Sequence, residues 1–524
     1  MQKEKILLYD TTLRDGSQGR MVQFSSIDKI RIAKALDDFG IDYIEGGWPG
    51  SNPKDMEFFK MAQNEEFIHA KIAAFGSTRR PNITPEEDAN LNALIEANTP
   101  VVTIFGKSWD LHVTDALKTS LEENLNMIES SIKFLKSKGK EVIYDAEHFF
   151  DGYKNNPEYA LKTLKATLAG GVDTIVLADT NGGTLPWELL DIIEELKKAL
   201  GIEKLGIHAH NDSDMAVVNS LIGVGKGIVH IQGTINGYGE RTGNANLCSI
   251  IPNLIIKMGY EANCKKNLHK LTELSRFVSE LANLPHNPYL PFVGENAFSH
   301  KGGIHVSAVM KNPTTYEHIN PELVGNRRNI LVSELSGKSN VLYKAKEMNI
   351  NLPENDVIIR EIVDKIKELE NKGYQFEAAS GSFELLIRKL LGKYPEFFKA
   401  LGYRVIVEKL GEDGELISEA TVKFKIDNNV ILTVAEGNGP VNALDQALRK
   451  GLVSFYPALK FIELVDYKVR VLQTDYGTGS RVRVLIENKG INRSWGTIGV
   501  SENIIEASFE ALKDSIIYGL LKGV

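Results

Sequence analysis

Two histidines stand one residue apart in His208-Ala209-His210-Asn211-Asp212. On a β-strand, positions i and i+2 point to one face, so both imidazoles would be offered to the same space. A carboxylate from Asp15 would complete a compact N2O donor set, leaving positions open for water and an oxygen-bearing substrate. Such a set suits Zn, Mn, Co or Mg and does not choose among them. The plainer alternative is a pair of hydrogen-bonded core histidines. Arg14, the neighbour of Asp15, can stabilise an oxyanion or grip a carboxylate, and can equally form a salt bridge to Glu45 or Asp10. Gly237-Tyr238-Gly239 would let backbone approach a ligand, or simply turn. In Ser299-His300-Lys301-Gly302-Gly303-Ile304-His305 an imidazole can act as a base, relay a proton or play a structural part.

These groups need a frame, and the first half of the chain supplies one. Short β-rich runs are predicted at Ile6–Asp10, Tyr43–Gly46, Ile72–Phe75, Val101–Phe105, Val142–Glu147, Thr174–Ala178, Leu205–His210 and His230–Ile235. Helix-period segments such as Ile27–Phe39, Leu121–Lys138, Glu158–Ala169 and Pro186–Leu200 alternate with them, the first opened by Ser25-Ser26-Ile27-Asp28 as an N-cap pattern. Eight strands separated by helices over about 250 residues predict an α/β fold of the (β/α)8 barrel type. An open doubly wound sheet is the alternative, but no G-x-G-x-x-G follows the first strand. The polar clusters fall where such a barrel keeps its chemistry, at the strand C-termini: Asp10 to Gly16, Glu45, Glu147-His148, Asp179-Thr180, His208 to Asp212 and Gly237 to Asn244.

Beyond residue 280 the texture changes. Helical stretches near Ile359–Leu369 and Phe383–Leu391 predict linker subdomains over 281–400. From 401 to 524 a pattern repeats: strands Tyr403–Glu408, Ser418–Lys425 and Asn429–Ala435 with helix Val441–Val453, then strands Leu464–Gln473, Ser480–Asn488 and Arg493–Val500 with helix Ile504–Leu521. Two βββα units of an α+β domain can bury their apolar faces only against one another or against a partner. The expected division is a barrel over 1–280, linkers over 281–400 and a ligand-sensing or dimerisation module over 401–524.

Sixty-one basic against 69 acidic residues give a formal charge of -8, which argues against a nucleic-acid footprint and offers no basic stripe for a membrane. Cys248 and Cys264 are too few for a disulfide framework and read as reduced core thiols. No apolar run reaches membrane-spanning length and the first residues lack a signal-peptide pattern, so a cytoplasmic protein is expected.

Three motifs, Asp10-Thr11-Thr12-Leu13-Arg14-Asp15-Gly16, His208-Ala209-His210-Asn211-Asp212 and Gly239-Glu240-Arg241-Thr242-Gly243-Asn244, together resemble the 2-isopropylmalate/homocitrate/citramalate synthase family over essentially the whole chain. The C-terminal repeat is similar to that family's regulatory domain, with Gly437-Asn438-Gly439-Pro440 at its turn. The resemblance implies that Asp15, His208 and His210 bind a divalent metal, with Asn244 a fourth ligand or near neighbour. It also implies that Arg14 stabilises the enolate or alkoxide, that Thr180 contacts the oxo acid's carboxylate and that Glu147 assists proton transfer. His305 matches the family's base and Tyr316 its helper, a residue that reaches a neighbouring subunit's barrel, which implies at least a homodimer.

Within the family, Gly46-Gly47-Trp48-Pro49-Gly50-Ser51-Asn52-Pro53, Phe75-Gly76-Ser77-Thr78-Arg79-Arg80 and Phe105-Gly106-Lys107-Ser108-Trp109 resemble the citramalate synthase branch. That branch implies condensation of acetyl-CoA with pyruvate and water, an acyl transfer on the route to isoleucine, with an isoleucine-type effector at the C-terminal domain. Rings at Tyr144, Phe105 and Phe75 are expected to shrink the pocket toward a methyl-sized side chain. A larger oxo acid remains the alternative within the family, with Arg79, Arg80 or Lys107 available to a distal carboxylate. A non-catalytic amino-acid sensor is the alternative of a different class, and a 3-hydroxy-acyl-CoA lyase is a related barrel activity.

Overall fold

A computed structural model of the chain describes residues 5–201, 204–333, 336–353, 356–409, 411–412, 414–472 and 480–523. Eight parallel strands close into a barrel in sequential order: β1 (Leu7–Asp10), β2 (Tyr43–Gly47), β3 (Lys71–Ser77), β4 (Val101–Lys107), β5 (Glu141–Glu147), β6 (Thr174–Asp179), β7 (Leu205–Ala209) and β8 (His230–Gly233). β8 closes on β1 with Leu7 beside His230 and Tyr9 beside Gln232. The (β/α)8 architecture is therefore as the alternation predicts. β8 is shorter than its apolar run, because the chain leaves the ladder at Thr234 for a single helical turn, Ile235–Gly237, with Asn236 at a left-handed φ of 63°.

Each strand offers one face to the barrel interior and the other to the surrounding helices, and apolar residues occupy both, as a sheet covered on both sides demands. The outer layer packs Leu8, Ile44, Ile104 and Ile207 against helices such as Ser26–Phe39 and Leu121–Ser137. The first of these is capped as the sequence predicts: Ser25 accepts from the Asp28 N–H, and the Asp28 carboxylate accepts from the Ser25 N–H. Inside, Tyr9, Tyr43, Ala73, Val101, Ile143 and Val176 fill the barrel as a separate cluster. Both cysteines are buried free thiols.

The chain divides into two compact units, one of residues 1–298 with 319–328 and one of residues 299–318 with 329–524. In the second unit a two-residue strand β9 (Ser299–His300) pairs parallel with β10 (Asn329–Ile330). Helices Asp356–Asn371 and Ser380–Leu390 then share a core of Ile362, Ile366, Phe383 and Ile387. Two three-stranded antiparallel sheets follow: β11 (Lys399–Lys409), β12 (Leu416–Ile426) and β13 (Asn429–Gly437), then β14 (Glu463–Val471), β15 (Val482–Lys489) and β16 (Ser494–Ser501). Gln473, the end of one predicted strand, lies outside the described residues. Helix Pro440–Leu452 lies on the first sheet and Ile504–Lys522 on the second. Period-2 burial of Ala420, Val422, Phe424 and Ile426 marks the covered face. The first sheet leaves Val407, Leu416, Val430 and Leu432 at least half exposed, and the second leaves Val465 and Val471 so.

Candidate active site

The barrel interior follows the register from strand to strand. Phe75 lies beside Thr103, Phe105 beside Asp145, Lys107 beside Glu147, Asp145 beside Val176, Ala178 beside His208, and His208 beside Gln232. Of these, Phe75, Phe105, Asp145, Glu147, Ala178 and His208 line a cavity of about 230 Å³ at the C-terminal mouth. Asp15, His208 and His210 form its base, each offering one donor atom, with the three atoms within 4.8 Å of one another. The loop after β8 folds back beside β7, pairing Asn244 with His210, so the Asn244 amide donates to Asp15 Oδ2 at 2.8 Å.

Electrostatics sort these groups by role. Burial favours the neutral carboxyl of Asp15, but the adjoining Arg14 charge and the His208 hydrogen bond override it and hold the group well below the usual carboxylate range. Burial likewise opposes an imidazolium at His208, yet the Asp15 contact at 3.1 Å raises its pKa. At His210 the Asp15 charge compensates only in part. Burial, then the charge of His208, pushes it down to about 3, leaving a neutral ring with a lone pair. His208 Nδ1 donates to Gln232 Oε1 at 2.7 Å, and Gln232 donates to Asp145 at 2.9 Å. That chain sets the tautomer and turns Nε2 of His208 toward Asp15.

A divalent cation fits this donor set. His210 Nδ1 and Asn244 Oδ1 are buried without a hydrogen-bond partner, an arrangement that is costly unless something else satisfies them. Asn244 is admitted by a glycine: a Cβ on Gly239 would stand 2.5 Å from its Oδ1.

Arg14 occupies the side of the cavity. Its Nε donates to Glu45 at 2.6 Å and its guanidinium lies 3.7 Å over the Phe75 ring. Glu45 also accepts from Tyr9 at 2.6 Å, which in turn meets Thr103 at 2.7 Å. The salt bridge to Glu45 thus positions Arg14 at the cavity it lines. On the opposite side Glu147 is paired with Lys107, and Thr180 Oγ1 accepts from the His148 N–H at 2.8 Å, which leaves its own hydroxyl proton free to donate.

Three family descriptions match successive stretches: HMGL-like over residues 5–278, homocitrate synthase post-HMGL domain-like over 292–374, and LeuA allosteric (dimerisation) domain over 377–520. An (R)-citramalate synthase of Aquifex aeolicus is 58% identical over 519 residues, covering 99% of this chain and 98% of that protein. One from Geobacter sulfurreducens is 58% identical over 517 residues, with coverage of 99% and 98%. The chain belongs to the (R)-citramalate synthase family. A 2-isopropylmalate synthase of Methanocaldococcus jannaschii is more distant, at 32% identity over 515 residues, covering 98% of this chain and 94% of that protein.

For this member of the citramalate synthase family, the first unit gathers Arg14, Asp15, Phe75, Phe105, Glu147, Thr180, His208 and His210 around one cavity, with Asn244 bonded to Asp15. Tyr144 is a correction. It lies beside Ile104, on the outer face of β5, and is buried in the layer between strands and helices, so its ring does not narrow the cavity. Asp145 takes the inward place. His305 and Tyr316 belong to the second unit, where their rings meet at 4.3 Å with planes tilted by 32°. There His300 also pairs with the buried Glu317 at 3.2 Å. Arg79, considered for a distal carboxylate, is buried against Glu123 at 2.7 Å.

Trp48, Asp145 and Gln232 were given no site role by the sequence reading. Asp145 and Trp48 line the cavity, and Gln232 holds His208. Strand parity offered a signal for Asp145, two residues before Glu147. Trp48 stands in the Gly46-Gly47-Trp48-Pro49 motif, which does not say that its ring faces the cavity, and nothing local marks Gln232.

Proposed function

We propose that this chain condenses acetyl-CoA with pyruvate and water, yielding (R)-citramalate and free CoA on the route to isoleucine. The observation that carries the reading is the convergence of Asp15, His208, His210 and Arg14 on one small cavity, in a chain alike from end to end with proteins named (R)-citramalate synthase.

Asp15, His208 and His210, with Asn244 Oδ1 available beside them, are the residues that would hold a divalent cation, whose bound charge supplies polarisation of the oxo acid's keto carbonyl. Arg14, kept cationic by Glu45 and Asp15, opposes negative charge developing on the keto oxygen as the new carbon–carbon bond forms. Thr180 donates its hydroxyl proton to the oxo acid's carboxylate. Glu147, partnered by Lys107, accepts and returns protons at the mouth. His305 is assigned the base that removes a proton from the acetyl methyl group, and Tyr316 its helper. Water then cleaves the thioester, and release of CoA drives the condensation forward.

The remaining assignments are part of the same proposal. Residues 1–280 form the catalytic part, 281–400 the linkers and 401–524 a regulatory module binding an isoleucine-type effector. A homodimer is supported by the half-exposed apolar residues on the sheets of that module, which a second copy would cover. Among the described residues no helix is long and apolar enough to cross a membrane, in keeping with a cytoplasmic enzyme.

The deciding experiment is CoA release from acetyl-CoA by the full-length protein, before and after chelation and repletion with Mn²⁺, Mg²⁺, Zn²⁺ or Co²⁺. Pyruvate, 2-oxoisovalerate and 2-oxoglutarate are compared in parallel. The expected result is pyruvate-dependent release, abolished by the chelator and restored by at least one cation. Release with none of the three acids would overturn the proposal.

A further inference from the structure

On the reading that pyruvate is the oxo acid, we propose that Trp48, clamped by Asn90, sets the size limit for the substrate's side chain. The aromatic wall of the cavity has three members rather than the two that lie on barrel strands. Phe75 and Phe105 stack with centroids 5.5 Å apart and planes at 21°. Trp48 meets both of them edge-on, at 5.8 Å and 85° to Phe75 and at 5.6 Å and 84° to Phe105. Edge-to-face contact of this kind is favourable and locks relative orientation. Because Phe75 also lies beneath the Arg14 guanidinium, the wall begins where the reacting keto group must be steadied.

Trp48 follows β2 in a loop, so the ladder does not hold it, and separate devices fix both its ends. Its backbone N–H donates to Asp55 Oδ2 at 2.9 Å. Asp55 Oδ1 is paired with the buried Lys29 at 2.6 Å, and Lys29 donates to the Gly46 carbonyl at 3.0 Å. At the other end the indole N–H donates to Asn90 Oδ1 at 2.7 Å, while the Asn90 amide donates to the Ser77 carbonyl at 2.8 Å. Room for Asn90 depends on Gly76, where a Cβ would stand 2.9 Å from that same Oδ1. Swinging the ring aside would break a part-buried hydrogen bond and both aromatic contacts together. A substrate one methylene longer than pyruvate therefore meets a wall that does not yield. Asn90, which does not line the cavity, acts as a positioning residue through Trp48.

The test compares the wild type with Trp48→Leu and Asn90→Ala as full-length proteins supplied with Mn²⁺. Separate kcat and KM values are measured for pyruvate, 2-oxobutanoate and 2-oxoisovalerate. For Trp48→Leu the ratio of kcat/KM for 2-oxobutanoate to that for pyruvate is expected to rise about tenfold or more, chiefly through KM of the larger acid. Asn90→Ala should move the ratio the same way by about threefold, the worth of one net hydrogen bond. Damage that was merely structural would lower every kcat/KM alike and leave the ratio where it was. Should Trp48→Leu not fold, Asn90→Ala decides. A wild type that selects pyruvate while the folded variants keep its ratio within twofold overturns the clamp alone. A wild type that prefers a larger acid overturns the pyruvate reading, and the size limit with it.

Discussion

The two ends of the barrel interior use the same side chain to opposite effect. At the mouth, His208 and His210 face a cavity; one is bonded to a carboxylate, and the other keeps a ring nitrogen without a partner. Toward the floor, His230 lies against Tyr9 and Tyr43, with ring centroids at 5.3 and 5.6 Å, and is buried with neither nitrogen hydrogen-bonded. Burial alone pushes its pKa down to about 3. A strand histidine is thus not a ligand by virtue of being a histidine. What distinguishes the mouth is an adjacent carboxylate that supplies charge, a second-layer amide that orients the ring, and open space for a substrate.

Four substitutions would break or sharpen this contrast. The largest effect is expected from removing a donor at the mouth. Asp15→Asn or His210→Ala should cut CoA release by about a thousandfold, roughly 4 kcal/mol of carbonyl polarisation, and lower the metal content measured by elemental analysis. Wild-type metal content in both would dissolve the distinction between the two ends. Next comes Gln232→Leu, which leaves the three donors in place but removes the bond that orients His208. Metal affinity, read by titration, should fall about 10- to 100-fold, the range seen when a ligand's supporting hydrogen bond is lost. An unchanged affinity would mean that the Asp145–Gln232–His208 chain is incidental.

The smallest effect belongs to the floor. His230→Phe replaces an unpartnered buried imidazole with an apolar ring and should leave turnover with pyruvate near the wild-type level. Its effect on stability should depend on pH. The folded-state pKa lies below the unfolded value near 6.5, so the unfolded chain takes up the proton first as pH falls. The wild type should then lose stability relative to the variant between about pH 6.5 and pH 3, at up to about 1.4 kcal/mol per pH unit. Urea unfolding of both proteins at pH 7, 6 and 5 measures the difference, and parallel curves would show that His230 is not the neutral, proton-refusing group described.

Much of the barrel was legible because its repeat is local. Alternating short apolar runs and amphipathic stretches need no tertiary information to be recognised, and the clusters at strand ends mark the mouth without saying which members meet. The C-terminal units were legible for the same reason, as two repeats of three strands and a helix. Tyr144 went astray because the expectation rested on residue type: Asp145 and Glu147 share the other parity and line the cavity, which puts Tyr144 on the outer face of the strand. Trp48 was visible in a motif, but its bond to Asn90 spans 42 residues and belongs to no local pattern.

By itself, then, the sequence determined the kind of elements, their order and the donors available: two histidines at strand spacing, an Arg-Asp pair and a glycine-rich loop. Only the closed barrel decided which donors share a cavity. With a side-chain period of two, one residue of register exchanges the inner and outer faces of a strand, and that register is set by pairing around the full circle of eight strands. The bond from Asn244 to Asp15 joins residues 229 positions apart, and Gln232 reaches His208 only because β8 lies beside β7. Such contacts exist when the circle is complete, which is why their chemistry belongs to the fold.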